Sequence, residues 1–513
     1  MSTTTAASGG LRTNRYLFYG LAAVSQLMFA VDSSIVTVAL RTIVVDLDTT
    51  LALAGWTLTG YALAQTVAMP VVGKLGEQFG EMRVFAISVA VFILGSLLCG
   101  ISPNIYMLIA CRVLQAIGGG GIMPSAVSII ARVFPDSRPR MLGLFTSIFP
   151  IGGIIGPNVG GLLLEHFSWR VLFLVNVPVG IVVVLLLARE ISSYDRGAAE
   201  STGRSRRLDV VGASLFAGAM VALLLALTFV AQDPSIVWGP TFWLMLATSV
   251  ALFALFAWQE RRVAEPVIDL ALVTRYPFSV VNVHNLLFGA CVWGSFSFVP
   301  YYASIQYGMS PLESGAILTP RSITSILLGT ITSFLMFRLG YRTPIIVGLA
   351  LIALSNVILG QGWAGDELEW LSLAPFALLA VVVGLAGVGS GLVMPASNNA
   401  ALDLLPDRAG AISSMRGVFR STGGILGTAL IVVVLSLSED QAAGLRMAFT
   451  AYGVVLLAAI PLTLMIPEMP PESRRGGRRP GGRAQRAPAD AGGPAGTVAP
   501  GQRAVGAAGS GDR

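Results

Sequence analysis

Charge is the scarcest thing in this sequence: only 12% of its 513 residues are Asp, Glu, Lys or Arg, where a soluble domain carries about a quarter. Hydrophobic residues make up 54%, far too many for a water-filled surface. A membrane protein is expected. Cysteine is equally thin. Cys99, Cys111 and Cys291 lie in or at the ends of apolar runs with no close-spaced partner, so neither a disulfide framework nor a zinc pattern is expected. Lys74 follows Gly73, but no Ser or Thr comes after it and residue 68 is not glycine, which excludes a phosphate-binding loop. The cluster Gly387-Val388-Gly389-Ser390-Gly391 lies inside an apolar run instead of after a strand, and so is no dinucleotide site. Covalent chemistry, direct use of ATP, a metal and a cofactor are all unexpected. An alternating-apolar barrel pattern is also missing.

What is present is a series of apolar runs at 16–40, 49–73, 84–101, 105–131, 141–164, 171–188, 210–232, 241–259, 278–305, 315–337, 343–362, 371–402, 409–437 and 447–465. Each approaches the roughly 20 residues a helix needs to cross the hydrocarbon core. The expectation is an all-α membrane protein with 14 spans. The first run is too long for a signal peptide, contains Asp32 and is followed by further spans, so it is retained. Arg12, Arg15, Lys74, Arg83, Arg132, Arg138, Arg140, Arg189, Arg204, Arg206 and Arg207 fall on one side, while Arg41, Arg170 and Arg446 fall on the other. Short loops rich in Lys and Arg stay cytoplasmic, so both termini are expected inside the cell.

Residues 467–513 turn to Gly, Ala, Pro and Arg, with eight arginines against four acids. Such a segment cannot bury a core, and a disordered basic cytoplasmic tail lying against anionic lipid is expected. The net charge of +6 concentrates there, so it does not argue for nucleic-acid binding.

The glycines show a duplication. Gly118 and Gly120, Met123-Pro124, Pro135-Asp136, Gly152-Gly153 and Gly156 recur, at an offset of 271 residues, as Gly389, Gly391, Met394-Pro395, Pro406-Asp407, Gly423-Gly424 and Gly427. Internal repeats in long apolar sequence mark transporters in which two bundles move around a central site. The layout is then a six-helix bundle at 1–190, a linker with two extra helices at 191–277, a second six-helix bundle at 278–466, and the tail. A weaker echo pairs Phe79-Gly80 with Leu339-Gly340.

Five stretches resemble the major facilitator superfamily, and within it the fourteen-span drug/proton antiporter branch. They are Asp32-Ser33-Ser34-Ile35-Val36-Thr37-Val38-Ala39-Leu40, the loop Gly73-Lys74-Leu75-Gly76-Glu77-Gln78-Phe79-Gly80, and Arg112-Val113-Leu114-Gln115. The fourth is the series Gly143, Gly152, Gly156-Pro157, Gly160-Gly161, and the fifth runs from Trp169-Arg170 to Asn176-Val177-Pro178. This chain has Arg41, Glu77 and Ala116 where that branch usually has proline, aspartate and glycine. The resemblance implies proton-coupled efflux by a monomer in a bacterial inner membrane, and a cytoplasmic latch at Gly73, Glu77, Gly80 and Arg83.

The residues carry their own argument. Asp32 is the only acid deep in a predicted span, and an ionisable group in hydrocarbon marks a pathway or needs a partner. It lies ~12 Å from the outer end of span one, and Arg112 ~10 Å from that of span four, at 1.5 Å per residue. Two readings follow: a carboxylate that gains and loses its arginine and so carries a proton, or a permanent pair locking two helices. The span-five glycines allow close packing alone, or packing together with a hinge at Gly152, Gly156, Pro157, Gly160 and Gly161, with Pro157 breaking the backbone ladder. Gln115, Asn158, Arg321 and Arg420 are the expected cavity residues; the other reading of the two arginines is that they snorkel or bond backbone carbonyls. Arg416 lies one turn from Arg420, and no deep acid matches these arginines, so a neutral, zwitterionic or anionic substrate is expected. Two other readings of the chain stay open here: a proton-independent facilitator or importer of a polar metabolite, and a membrane sensor or assembly partner that transports nothing.

Overall fold

The structure, a computed structural model, describes residues 15–135, 137–198, 209–263, 270–363, 375–403, 409–466 and 468. The predicted tail lies outside these residues save for one position. In chain order the helices are α1 (Arg15–Asp46), α2 (Leu51–Phe79), α3 (Glu81–Gly100), α4 (Ile105–Val133), α5 (Arg138–Thr146), α6 (Ile148–His166), α7 (Val171–Leu174), α8 (Asn176–Ala198), α9 (Val210–Gln232) and α10 (Pro240–Glu260). There follow α11 (Leu270–Thr274), α12 (Phe278–Phe288), a π-helical stretch (Gly289–Gly294), α13 (Ser295–Ser297), α14 (Val299–Tyr307), α15 (Pro311–Ala316), α16 (Leu318–Leu339), α17 (Arg342–Gln361), α18 (Pro375–Leu402), α19 (Ala409–Leu437) and α20 (Gln441–Thr463). Among the described residues there is no strand.

Twelve helical stretches among these residues are long and apolar enough to cross a membrane. The runs predicted at 49–73 and 315–337 are helical as well, in α2 and α16, but they are more polar, with Thr57, Thr59, Gln65 and Thr66 in one and Arg321, Thr324, Ser325 and Thr330 in the other. Both run among other helices, α2 against α4, α9 and α19, and α16 against α6 and α18. A helix whose neighbours are helices need not match lipid along its whole face. The count of fourteen therefore depends on these two.

Local chemistry sets the ends. Thr50 and Asn104 accept the backbone N–H groups of Leu53 and Met107 and cap α2 and α4, and Ser310 with Glu313 forms a capping box on α15. The turns after α2 and α16 each open on a glycine, Gly80 at φ 96° and Gly340 at φ 70°. A side chain would be strained there, so the faint sequence echo between the two positions is a shared backbone requirement. The helix ends alternate. Glu81 pairs with Arg132 and Tyr341 bonds Asp403 at the end where α1 begins, and Trp169 bonds Asp46 and Tyr307 bonds the Trp363 carbonyl at the far end.

The duplication is a duplication of packing. Gly118 of α4 abuts Phe92 of α3, and Gly389 of α18 abuts Gly348 and Ile352 of α17. Gly120 meets Gln65 and Ala68 of α2, and Gly391 meets Ser325, Leu328 and Gly329 of α16. Gly152 and Gly156 of α6 lie on Ala30, Val31 and Ser34 of α1, as Gly423 and Gly427 of α19 lie on Leu286 and Ala290 of the ninth predicted span. A Cβ at any of these positions would enter a neighbouring helix, so each glycine holds a helix pair at backbone contact.

The contacts found between the two halves gather at the far end. Arg41 Nη1 donates to Ser304 Oγ at 2.6 Å, Asn158 Nδ2 donates to Thr319 Oγ1 at 2.6 Å, and Gly161 packs on Pro311 and Leu312 while Gly315 packs on Pro157. Toward the end where α1 begins, a Cβ at Gly73, Gly143 or Gly417 would meet no heavy atom of another helix within 4 Å among the described residues. The halves are shut at the far end.

Of the two intervening helices, α9 fills the groove between α2 and α19, one from each half, and Trp56 Nε1 donates to Thr228 Oγ1 at 2.8 Å. Its Phe216, Met220 and Leu224 join a hydrophobic cluster that runs from Leu51, Ala54 and Leu63 of α2 into the second half. The second, α10, rests on α9 and exposes Trp243, Leu244, Val250 and Trp258, the surface of a helix facing lipid.

Candidate functional site

Asp32 and Arg112, matched in depth by counting along their helices, meet. Arg112 Nη1 donates to Asp32 Oδ2 at 2.7 Å, with the two side chains 1% and 0% exposed. The other carboxylate oxygen accepts Gln115 Nε2 at 2.7 Å and Asn176 Nδ2 at 3.1 Å. Gln115 sits one turn from Arg112 and bridges the network: its Oε1 accepts Arg112 Nη1 at 2.6 Å and its Nε2 also donates to Ser96 Oγ at 2.6 Å. Arg112 Nε donates to the Thr57 carbonyl at 3.2 Å, and the guanidinium lies 3.8 Å from the Tyr61 ring centroid. Five helices, α1, α2, α3, α4 and α8, each contribute a polar group to one buried site.

This site is electrically balanced and every carboxylate oxygen is bonded. Such a buried pair adds little net stability, yet removing one partner strands the other at a cost of about 3–5 kcal/mol. Asn176, Ser96, Thr57 and Tyr61 were not assigned to it from the sequence. Asn176 offered the clearest signal, an amide in an apolar run six residues after Arg170. Gln115, expected in the cavity, is instead held by Asp32, Arg112 and Ser96.

The span-five residues divide between two surfaces. Gly152, Gly156 and Gly160 face Ala30, Ser34 and Ile35 of α1, inside the first half. Gly161, with the Pro157 carbonyl and Asn158, faces α15 and α16 of the second half. Pro157 does not break the helix. Continuous α6 runs through it, and the interruption falls at Ser147. Proline removes one backbone donor, which a packed membrane helix tolerates. Putting Val at Gly156 should therefore overpack the α1–α6 contact by roughly 1–3 kcal/mol and lower the thermal midpoint of purified protein. An unchanged midpoint would show that α1 and α6 separate freely there.

In the expected latch, Gly73 is open to its surroundings and Gly80 makes the turn already described. The Glu77 side chain lies outside the described residues. Arg83 is exposed. Glu81 accepts Arg132 Nη2 at 3.1 Å, tying the start of α3 to the end of α4. The Trp169-Arg170 stretch has its own role at the far end, where Asp46 Oδ2 accepts Trp169 Nε1 and Arg170 Nη1, both at 2.8 Å.

In the second half, Arg416 is buried and bonds Asn285 Oδ1 at 3.3 Å, Ser397 Oγ at 3.1 Å and the Ser397 carbonyl. Arg420 lies over the Trp293 ring at 5.0 Å and Arg321 over Phe296 at 4.5 Å. His284 is buried and stacks on Phe288. Among the described residues no group of three or more His, Cys, Asp or Glu is arranged to hold a metal.

The Major Facilitator Superfamily profile matches residues 22–258, 196–428 and 284–499. The chain is 30% identical over 432 residues to the "Multidrug transporter protein MdtP" of Bacillus subtilis, covering 83% of this chain and 76% of that one. It is 32% identical over 435 residues to the "Tetracenomycin C resistance and export protein" of Streptomyces glaucescens, covering 84% and 77%. Among solved structures, a bacterial homolog of the human lysosomal transporter Spinster, inward-facing and unoccupied, aligns with a TM-score of 0.61 at 16% identity over 89% of this chain and 98% of that one. The inward open xylose transporter XylE from E. coli gives 0.58 at 12%, over 89% and 97%. Fold, repeat and sequence thus converge on one assignment: this chain is a multi-pass membrane protein of the Major Facilitator Superfamily.

Proposed function

We propose that the protein is a proton-coupled exporter of small amphipathic compounds, an antiporter of a bacterial inner membrane with both termini in the cytoplasm. The observation that carries this reading is the buried Asp32 carboxylate, held by three side chains from two other helices, α4 and α8, and placed where α1 meets the rest of its half. While Arg112 stays in contact, the carboxylate can remain charged. A buried carboxylate that loses its cation must take up a proton or meet water, because an unpaired charge in an apolar interior is too costly. A rearrangement within the first half that parts α1 from α4 would thus load a proton, and re-forming the pair would expel it. Under the positive-inside reading, the far end is extracellular and the shut state faces inward. The relatives named for multidrug transport and for tetracenomycin C export support efflux as the direction.

The test is transport by purified protein in proteoliposomes with an imposed pH gradient, using a panel of dyes and antibiotics. Coupled export predicts substrate accumulation that follows the gradient and collapses with a protonophore. Flux that only equilibrates the substrate, at a rate indifferent to pH, would sink coupling.

A further inference from the structure

In the second half two arginines are stacked on aromatic rings with no acid beside them. Arg321 comes from α16 and Arg420 from α19, and their rings, Phe296 and Trp293, stand three residues apart on the ninth predicted span, at and just beyond its π-helical stretch. Short π segments in α-helices concentrate at functional sites, and this one is built in: Gly289 abuts the Arg420 backbone, and Gly294 abuts Gly427.

Each guanidinium offers five N–H donors and no acceptor. Among the described residues Arg321 donates no hydrogen bond, and Arg420 donates only to the Met394 thioether at 3.7 Å. The Nε of each is buried without a partner. The described ion pairs include neither residue. The first half answers its deep arginine with Asp32; among the described residues the second half pairs none of Arg321, Arg416 and Arg420 with an acid, and only Arg416 is held by oxygen acceptors, those of Ser397 and Asn285. Both side chains remain partly exposed, so a ligand can reach them.

We propose that Arg321 and Arg420 form an anion site on the π-helical turn of the ninth span, and that it takes the acidic group of a small amphipathic organic acid as cargo. The proposal rests on the transport reading but names the cargo's charge. Planar guanidinium groups match a carboxylate with paired hydrogen bonds, and the rings behind them hold each guanidinium in place by its face, leaving its N–H edge for the ligand. Arg321 also lies between Thr319 and Ser322, the stretch of α16 that meets Asn158 and Gly153 across the seam. A ligand on Arg321 therefore sits within a turn of the contact that closes the halves.

Binding to purified full-length protein in lipid nanodiscs tests this, with naphthaleneacetate, its uncharged amide naphthaleneacetamide, and naphthylethylammonium. The acid should bind at least about 10-fold more tightly than the amide, the range of charge-assisted hydrogen bonds, and the ammonium most weakly. Arg321→Gln and Arg420→Gln should each cut the preference, and together remove it. Arg420→Lys keeps the charge but loses the paired geometry and the stacking, so it should retain part of the preference and more of it than Arg420→Gln, a comparison that serves if the double variant does not fold. An acid bound no better than its amide, or a preference that survives both glutamine substitutions, overturns the site. Loss of pH-driven transport with the acid preference intact would count against coupling and leave this site standing.

Discussion

Asp32→Asn is expected to reduce uphill, pH-driven export to background while substrate binding persists. Asparagine keeps the shape and can still accept from Gln115 and Asn176, but it cannot cycle a proton. The substitution also strands Arg112, which retains Gln115, the Thr57 carbonyl and the Tyr61 and Phe173 rings but no anion. A stability loss of about 3–5 kcal/mol should follow, so a bare loss of activity would not separate the two readings of the pair. Arg112→Gln in the same chain separates them. With both charges gone the penalty for an unpaired ion disappears, and thermal stability should recover substantially. If Asp32 carries the proton, uphill transport stays lost in that stable double variant. Recovery of pH-driven accumulation together with stability would show that the pair only locks helices, and the coupling assignment would fall.

The same pair shows how far the sequence could be read. Helical rise alone put Asp32 and Arg112 at matching depth, because a membrane fixes where each helix enters and leaves and so turns residue counts into coordinates. The repeat was legible for a related reason: glycines at backbone contacts cannot be exchanged for larger residues without a clash, so Gly118 and Gly389 report the same packing. What residue counts do not contain is rotation about the helix axis. Gly156 and Gly161 lie five residues apart on one helix and serve different partners, α1 for one and the opposite half for the other. Asn158 lies in the seam for the same reason, and Gln115 in the charge network. The π-helical turn under Trp293 and Phe296 was also illegible, since one extra residue per turn leaves no mark in an apolar run.

That division sets up the other large effect, at Gly161. A Cβ there would stand 2.5 Å from the Pro311 carbonyl oxygen and 2.6 Å from the Leu312 Cα, both backbone atoms that cannot turn aside as a side chain would. Gly161→Val should therefore oppose far-end closure and leave the interior of the first half alone. Overpacking costs roughly 1–3 kcal/mol. Charged to one conformation and spared in the other, it changes their ratio by roughly 5- to 150-fold. The two glycine variants should then separate cleanly. Gly156→Val loses thermal stability in every conformation, because α1 and α6 stay together. Gly161→Val keeps most of its stability but shifts the population toward a state open at the far end. Spin labels placed on α6 and α15 should report a longer far-end distance in Gly161→Val than in the parent, and turnover should fall because return to the shut state is disfavoured. An unchanged distance distribution with normal turnover would show that the halves separate elsewhere, and that the seam at Gly161, Pro157 and Gly315 takes no part in gating.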